Sequence, residues 1–336
     1  MHVPNETIFG LSSGGLPSGV VVIRLSGMRA FDVAGQLLPE TKLFNLEQKS
    51  VFYTSILDPS DQSLIDSGLV LPFRGPHSFT GEDVIEFQLH GSVAVVERLS
   101  DLLVELGAHP AERGEFSRRA FENGRLDLTE IEGLSDLIAA ETEAQRTQAV
   151  AQHGGALRKT LEDWRSRLLR NRAFVEAELD FSDEEDVPDS LSDVVWQDCA
   201  NLAAEIRALL ADDHRGEIIR DGFRVVIAGK PNVGKSSLLN ALAQRDVAIV
   251  TDEAGTTRDL VEVRLNLAGH LVGLCDTAGL RDAENKAERI GVERSRNAAK
   301  AANLVLHVST DASELSTSVG GDILEVHGKC DVRRRN

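Results

Sequence analysis

Three kinds of hydrophobic spacing succeed one another along the chain. Up to residue 121 the apolar residues come in short runs or alternate with polar ones. This spacing predicts strands over Val20–Leu25, Ser50–Leu57, Gly68–Phe73 and Val84–Gly91, with helices over Phe31–Leu38 and Val93–Leu106. Alternation in Val84–Gly91 places Glu86, Gln88 and His90 on one face. From Asp127 to Asp180 the period becomes helical: Leu128, Ile131, Leu134, Leu137 and Ile138, then Leu157, Leu161, Trp164, Leu168, Val175 and Leu179, with a turn at Gly154-Gly155. An acidic break over Phe181–Pro188 precedes a further helix over Ser190–Ala211, and near Gly216–Gly222 the helices hand over to strands. The last third shows short apolar runs at Phe223–Ala228, Val272–Cys275 and Leu304–Val308, with a helical pattern at Leu238, Leu239 and Leu242 after the first. The expected architecture is multidomain α/β: an α+β domain over 1–121, an α-helical middle domain over 122–216 and an α/β domain over 217–336.

Composition narrows the classes. A chain of 336 residues, 42% hydrophobic, can bury two or three cores without disulfides. Cys199, Cys275 and Cys330 are too far apart to suggest a disulfide framework or metal-ligand spacing; Cys275 fits a packed strand. The N-terminus MHVPNETIFG lacks the basic segment and apolar run of a signal peptide, and no stretch approaches the roughly 20 apolar residues of a membrane span, so a cytoplasmic protein is the expectation. A formal charge of −18 argues against a protein that coats itself in nucleic acid. The clusters Arg113, Arg118, Arg119, Arg125 and Arg165, Arg167, Arg170, Arg172 read as solvated helix faces, and a local site is still allowed.

The strongest motif is Gly229–Ser237, GKPNVGKSS, between the run Phe223–Ala228 and a helical pattern. It satisfies G-x-x-x-x-G-K-[ST] in its strand, loop and helix context. Gly229 and Gly234 allow a tight backbone whose N–H groups point at phosphate oxygens, reinforced by the helix N-terminus. Lys235 would reach the β- and γ-phosphates, and the Ser236 hydroxyl would ligate Mg²⁺. Downstream, Gly255-Thr256-Thr257-Arg258-Asp259 and Asp276-Thr277-Ala278-Gly279 follow in the order of a threonine loop and an aspartate strand that close on Mg²⁺ and the γ-phosphate, with Thr257 and Gly279 as switch residues. Each is weak alone, but an ordinary loop and turn do not explain the series. Where Ras-type enzymes place a water-orienting Gln, this chain has Leu280; Glu288 is a candidate for that role, or lies on a solvated charged face.

In the first domain the readings stay open. Arg24, in an otherwise apolar strand, is an edge-facing residue or an anion ligand. Glu86, Gln88 and His90 are the wet face of a sheet or part of a site.

Several of these segments together resemble the MnmE (TrmE) family of tRNA-modifying GTPases: Gly81–Glu86, Gly114–Ser117 with Arg119–Phe121, Asn123–Leu128, Asp183–Glu185, the phosphate loop, GTTRD, and DTAGLR with ERIGVER. The resemblance runs from about Thr7 to about Asp331. It implies an N-terminal domain that binds a formylated tetrahydrofolate, such as 5-formyltetrahydrofolate, and dimerises. A helical domain and a P-loop GTPase domain complete the set. Folate contacts carry over to Arg24, Glu86 and Arg125, the last a position where the family typically has Lys. GTP contacts carry over to Asn232, Val233, Gly234, Lys235, Ser236, Ser237, Thr251, Asp252, Glu253, Ala254, Gly255, Thr256, Thr257, Asp276, Thr277, Ala278, Gly279 and Asp331. The resemblance further implies K⁺ at Asn232, Thr251, Glu253 and Thr256, Mg²⁺ at Ser236 and Thr257, and catalytic roles for Lys235 and Glu288. The implied reaction builds an aminomethyl-type substituent on C5 of the wobble uridine of certain tRNAs. It uses a folate one-carbon unit, a FAD-containing partner that supplies most tRNA binding, and GTP hydrolysis coupled to dimerisation of the GTPase domains.

Three departures shape the expectations. The guanine-reading N-K-x-D appears as Gly328-Lys329-Cys330-Asp331, so Asp331 keeps its contact to the base while the Asn contact is lost. The chain stops at Asn336, which makes the GTPase domain incomplete, and the C-terminal return to the helical domain with its Cys-containing motif is missing from this sequence. An incomplete sheet would leave an open strand edge and reduce solubility. Two rival readings follow: a fragment that binds folate and dimerises without modifying tRNA, and a stand-alone Era-like GTP switch, which leaves residues 1–121 unexplained.

Overall fold

A computed structural model describes residues 6–42, 50–180, 191–211, 213–229, 232–243, 262–276, 302–310 and 322–328. The chain divides into two compact units, Met1–Ile131 and Glu132–Asn336.

The first unit is built on a six-stranded sheet in the order β3-β4-β5-β2-β1-β6. Its strands are β1 (Ile8–Leu11), β2 (Ser18–Ser26), β3 (Phe52–Leu57), β4 (Leu64–Phe73), β5 (Val84–Gly91) and the short β6 (His109–Pro110). All neighbours are antiparallel except β1 and β6. One sheet face is dry: Val21, Ile23 and Leu25 of β2 and Ile85, Phe87 and Leu89 of β5 pack with Phe31 and Val33 of helix α1 (Ala30–Gln36) and with Leu99, Leu102 and Leu103 of α2 (Val93–Glu105). The opposite face carries Arg24, Glu86, Gln88 and His90, as a half-covered antiparallel sheet dictates. Strand β4 starts at Leu64, before the expected Gly68, because a turn held by Asp58 brings Leu64 back into register with Leu57. Helix α3 (Glu115–Glu122) follows β6.

Helix α4 (Leu128–Ala139) runs across the division into the second unit, where α5 (Glu143–His153), α6 (Ala156–Asp180), α7 (Leu191–Ala211) and α8 (Asp213–Asp221) follow. The helical period from Asp127 to Gly154 conceals a break between α4 and α5. Thr142 caps α5 by accepting from the Gln145 N–H, and the Gln145 side chain accepts from the Thr142 N–H at 3.0 Å, a reciprocal pair that starts a new helix. On α6 and α7, Arg167 bridges Asp198 and Glu205, and the Trp164 indole donates to Glu205 at 3.0 Å. The boundary expected between 216 and 217 falls inside α8, which continues to Asp221 and ends at Gly222, whose φ of +92° suits only glycine.

The second sheet has the order β11-β10-β7-β9-β8, from β7 (Phe223–Ala228), β8 (Glu262–Leu267), β9 (His270–Asp276), β10 (Leu304–Ser309) and β11 (Asp322–His327). Only β8 is antiparallel to its neighbour. Strand β7 is central, and helix α9 (Lys235–Ala243) packs Leu239 onto the Val225, Ile227, Val272 and Leu274 cluster. From β7 the chain builds β8 and β9 on one side and β10 and β11 on the other, so a topological switch point lies at the carboxyl end of β7, where ligands of such sheets bind.

Candidate functional site

The glycine loop occupies that switch point. Gly229 has φ +145°, and a Cβ there would sit 2.2 Å from the Val308 carbonyl oxygen of β10; no other residue fits. Asn232 takes the left-handed conformation at φ +62°, which Asn tolerates better than most residues, and Gly234 has φ +110° with open space where a Cβ would point. Val233 is buried and anchors the loop to the core. Lys235, 6% exposed, sends Nζ back across the loop to the Gly229 carbonyl at 2.9 Å. Ser236 and Ser237 follow in the first turn of α9. The backbone of Asp276 closes β9 beside Ile227. These elements combine positive-φ backbone at Gly229, Asn232 and Gly234 with a helix N-terminus and a buried ammonium, the parts of a phosphate cradle.

Gly328, where the guanine-reading motif expects Asn, is held by a 2.9 Å bond from its N–H to the Ser309 carbonyl, and a Cβ there would lie 2.4 Å from the Val233 carbonyl. The phosphate loop thus passes directly against this glycine. Thr251, Asp252, Glu253, Ala254, Gly255, Thr256, Thr257, Thr277, Ala278, Gly279, Glu288 and Asp331 lie outside the described residues.

The first unit holds the second set. Arg24 is neither at a sheet edge nor alone: it is the register partner of Glu86 on the central strands β2 and β5. Its Nε and Nη2 both reach Glu86 Oε1, at 2.9 and 2.8 Å, and its guanidinium lies 4.8 Å from the Phe79 ring and 5.4 Å from the Phe116 ring. Across the same face Gly10 of β1 stands opposite Arg24, and a Cβ there would come within 3.3 Å of Phe116. Arg125 reaches the loop that carries Phe79: its Nε donates to the Ser78 carbonyl at 3.3 Å, and its stem packs against Gly81. The structure thus gathers Arg24, Glu86 and Arg125 around residues 78–81, with charges of both signs beside two aromatic rings.

Two family models match the chain. One, described as GTP-binding protein TrmE N-terminus, matches residues 7–125, and another, described as MnmE helical domain, matches residues 128–327. A Rhizobium etli protein named tRNA modification GTPase MnmE is 56% identical over 310 residues, covering 91% of this chain and 69% of its own length. Proteins of the same name from Rhizobium johnstonii (54% over 307 residues, 91% and 69%) and Brucella anthropi (53% over 302 residues, 90% and 67%) match comparably. The chain belongs to the MnmE family. A solved structure of the cytosolic domain of the T. maritima FeoB iron transporter in apo form is 18% identical, covers 34% of this chain and 60% of that one, and has a TM-score of 0.19, too low to carry an argument. Among the described residues no helix is long and apolar enough to cross a membrane.

Within this MnmE family member, sequence reasoning missed the residues that hold the first site together. Phe79 and Phe116 carry no charge and sit in motifs read for their polar residues. Arg119, grouped with a solvated helix face, is instead 3% exposed. Its Nη1 donates to the Glu6 carbonyl at 2.8 Å and to both oxygens of Glu82 at 3.2 Å, and its Nη2 donates to Glu115 at 3.1 Å. Burial alone would raise the Glu115 carboxyl; bonds from the Glu112 N–H and from Arg119, with the nearby charge of Arg118, outweigh it and hold the group below the usual carboxylate range. The available signal was spacing: Glu115 and Arg119 stand four apart on one helix face, with Phe116 three before Arg119.

Proposed function

We propose that this chain is a GTP hydrolase that takes part in modifying C5 of the wobble uridine of certain tRNAs. The observation that carries the reading is the match to proteins named tRNA modification GTPase MnmE across both units, 56% identical over 310 residues. The cradle at Gly229–Ser237 supports the nucleotide part: Gly234 leaves its surroundings open, and the Lys235 ammonium already reaches across the loop to the Gly229 carbonyl, where a phosphate oxygen would be within its range. Ser236 and Thr257 would hold Mg²⁺. Asn232, Thr251, Glu253 and Thr256 would hold K⁺, which supplies positive charge where charge develops in phosphoryl transfer. Glu288 would orient the attacking water.

Arg24, Glu86 and Arg125 would bind a tetrahydrofolate such as 5-formyltetrahydrofolate, the source of a one-carbon unit. The donor set fits. Both Arg24 bonds fall on Glu86 Oε1, so Oε2 is available to the N–H edge of a pterin, and Arg125 offers an exposed cation to a carboxylate tail. In this reading the protein works in the cytoplasm as a homodimer whose GTPase domains associate during turnover, with a FAD-containing partner that contributes most of the tRNA contact.

The test is GTP hydrolysis with Mg²⁺ in KCl against NaCl, comparing the unmodified chain with Glu288→Ala. Turnover that requires K⁺ and is lost in the variant is expected. Absence of both turnover and GDP binding would overturn the hydrolase reading in favour of a folate-binding fragment.

A further inference from the structure

We propose that the ion pair between buried Arg119 and Glu82 is the positioning element of the Arg24, Glu86 and Arg125 site, fixing in one contact the two segments that shape it. The inference rests on the folate reading above and names the residues that build the site rather than touch the ligand.

One segment is the connection from Phe73 to Val84. Glu82 is its hub: Oε2 accepts from the Ser26 hydroxyl at 2.7 Å, both oxygens accept from Arg119, its carbonyl accepts from the Ser78 hydroxyl at 2.6 Å, and its N–H donates to Thr80 at 3.3 Å. Ser26 and Thr80 are fully buried and bonded to each other at 2.7 Å. These bonds leave the loop one course, with Phe79 against Arg24 and the Ser78 carbonyl toward Arg125. The other segment is α3 with its continuation. Phe116 stands one turn before Arg119, and the chain after Arg119 turns back through a bond from the Arg125 N–H to the Ala120 carbonyl at 2.8 Å. Asn123 adds a bond to the Thr80 carbonyl at 2.7 Å, and Gly81, at φ +80°, has no room for a side chain beside Asn123 and Arg125, whose atoms lie 3.0 Å from a Cβ there.

Arg119 therefore ties the loop that carries Phe79 to the helix that carries Phe116 and leads on to Arg125. A guanidinium is needed because the position serves Glu6, Glu82 and Glu115 in different directions from one planar group; a lysine ammonium, a point charge on a flexible stem, cannot span them in that geometry. Glu82 is 25% exposed, so its truncation leaves Arg119 still paired with Glu115 and the unit folded.

The experiment compares full-length Arg119→Lys, Glu82→Ala and Glu82→Gln with the unmodified chain by two readouts. The first is 5-formyltetrahydrofolate binding by calorimetry. Glu82→Ala and Arg119→Lys are expected to weaken binding about tenfold, the factor one misplaced charge-assisted contact is worth, and Glu82→Gln, which still accepts from Arg119 and Ser26, is expected to recover much of it. The second readout needs no folate: NMR of arginine-labelled protein, in which the rings of Phe79 and Phe116 shift the Arg24 side-chain signals. Both lysine and alanine variants are expected to lose that shift while core methyl signals of Ile23 and Leu103 stay in place. If the unmodified chain binds no folate, the folate reading fails, and the Arg24 signals still decide the positioning role. An Arg24 shift unchanged in Glu82→Ala, or one lost only together with the core methyl signals, would overturn the proposal.

Discussion

Arg24 and Glu86 are register partners on adjacent antiparallel strands, and two nitrogens of the guanidinium share one oxygen of the carboxylate at 2.9 and 2.8 Å. The pair lies on the face of the sheet opposite the dry core, 20% and 16% exposed, so it is screened from water without supporting the packing beneath. Each side chain of such a pair orients the other: the carboxylate holds the arginine's plane, and both arginine bonds engage a single carboxylate oxygen.

Glu86→Gln should therefore damage binding more than folding. The amide keeps the shape and one acceptor for Arg24 but cannot take paired N–H donors from a pterin edge. We expect 5-formyltetrahydrofolate affinity to fall about tenfold or more, the scale of a lost charge-assisted hydrogen bond, with thermal unfolding of the chain little changed. Calorimetric titration beside a melting curve checks it; full affinity in the variant would show that the ligand does not use this carboxylate.

Two glycines of the phosphate loop should respond differently to the same substitution. Gly229→Ala puts a methyl group 2.2 Å from the Val308 carbonyl, a clash between two central strands, on a φ of +145°. Gly234→Ala meets no atom within 4 Å and suffers only its φ of +110°. Backbone strain of this kind costs on the order of 1–3 kcal/mol, so Gly234→Ala should fold with weakened GDP binding, whereas Gly229→Ala should also lower the unfolding midpoint of the second unit. Fluorescent GDP titration with denaturant unfolding separates the two; equal destabilisation by both would contradict the role of Val308.

Asp58 makes the first unit sensitive to acid. The Ser60 hydroxyl and N–H, at 2.6 and 2.9 Å, and the Arg98 guanidinium pull its carboxyl from 3.8 down to about 2. A depressed carboxylate stabilises the fold fully above its unfolded value and loses that contribution as pH falls through the folded one. Asp58→Asn should therefore unfold more easily near neutrality, with the gap to the unmodified protein closing between pH 3.8 and about 2. Chemical denaturation at a series of pH values measures it; a gap independent of pH would rule the charge out as its source.

Much of this architecture was legible in the order of residues because the governing constraints are local. Alternation placed Glu86, Gln88 and His90 on the wet side of β5, and period and glycines located the phosphate loop, since Gly229 and Gly234 are demanded by backbone angles that the motif itself encodes. Where one helix ended and the next began was less legible. The Thr142 and Gln145 cap starts α5 within an unbroken apolar period, and α8 runs past an expected boundary because helix ends are set by capping bonds as much as by hydrophobic spacing. What only tertiary structure decided was pairing at long range. Arg24 meets Glu86, and Arg119 meets Glu82 and the Glu6 carbonyl, across separations that no periodicity reports. A charged side chain in a list of exposed arginines becomes a buried anchor only when folding removes water from it, so the same sequence pattern that describes a solvated face also describes Arg119. The residues that name the chemistry were visible in the chain, whereas those that hold them in place were chosen by the fold.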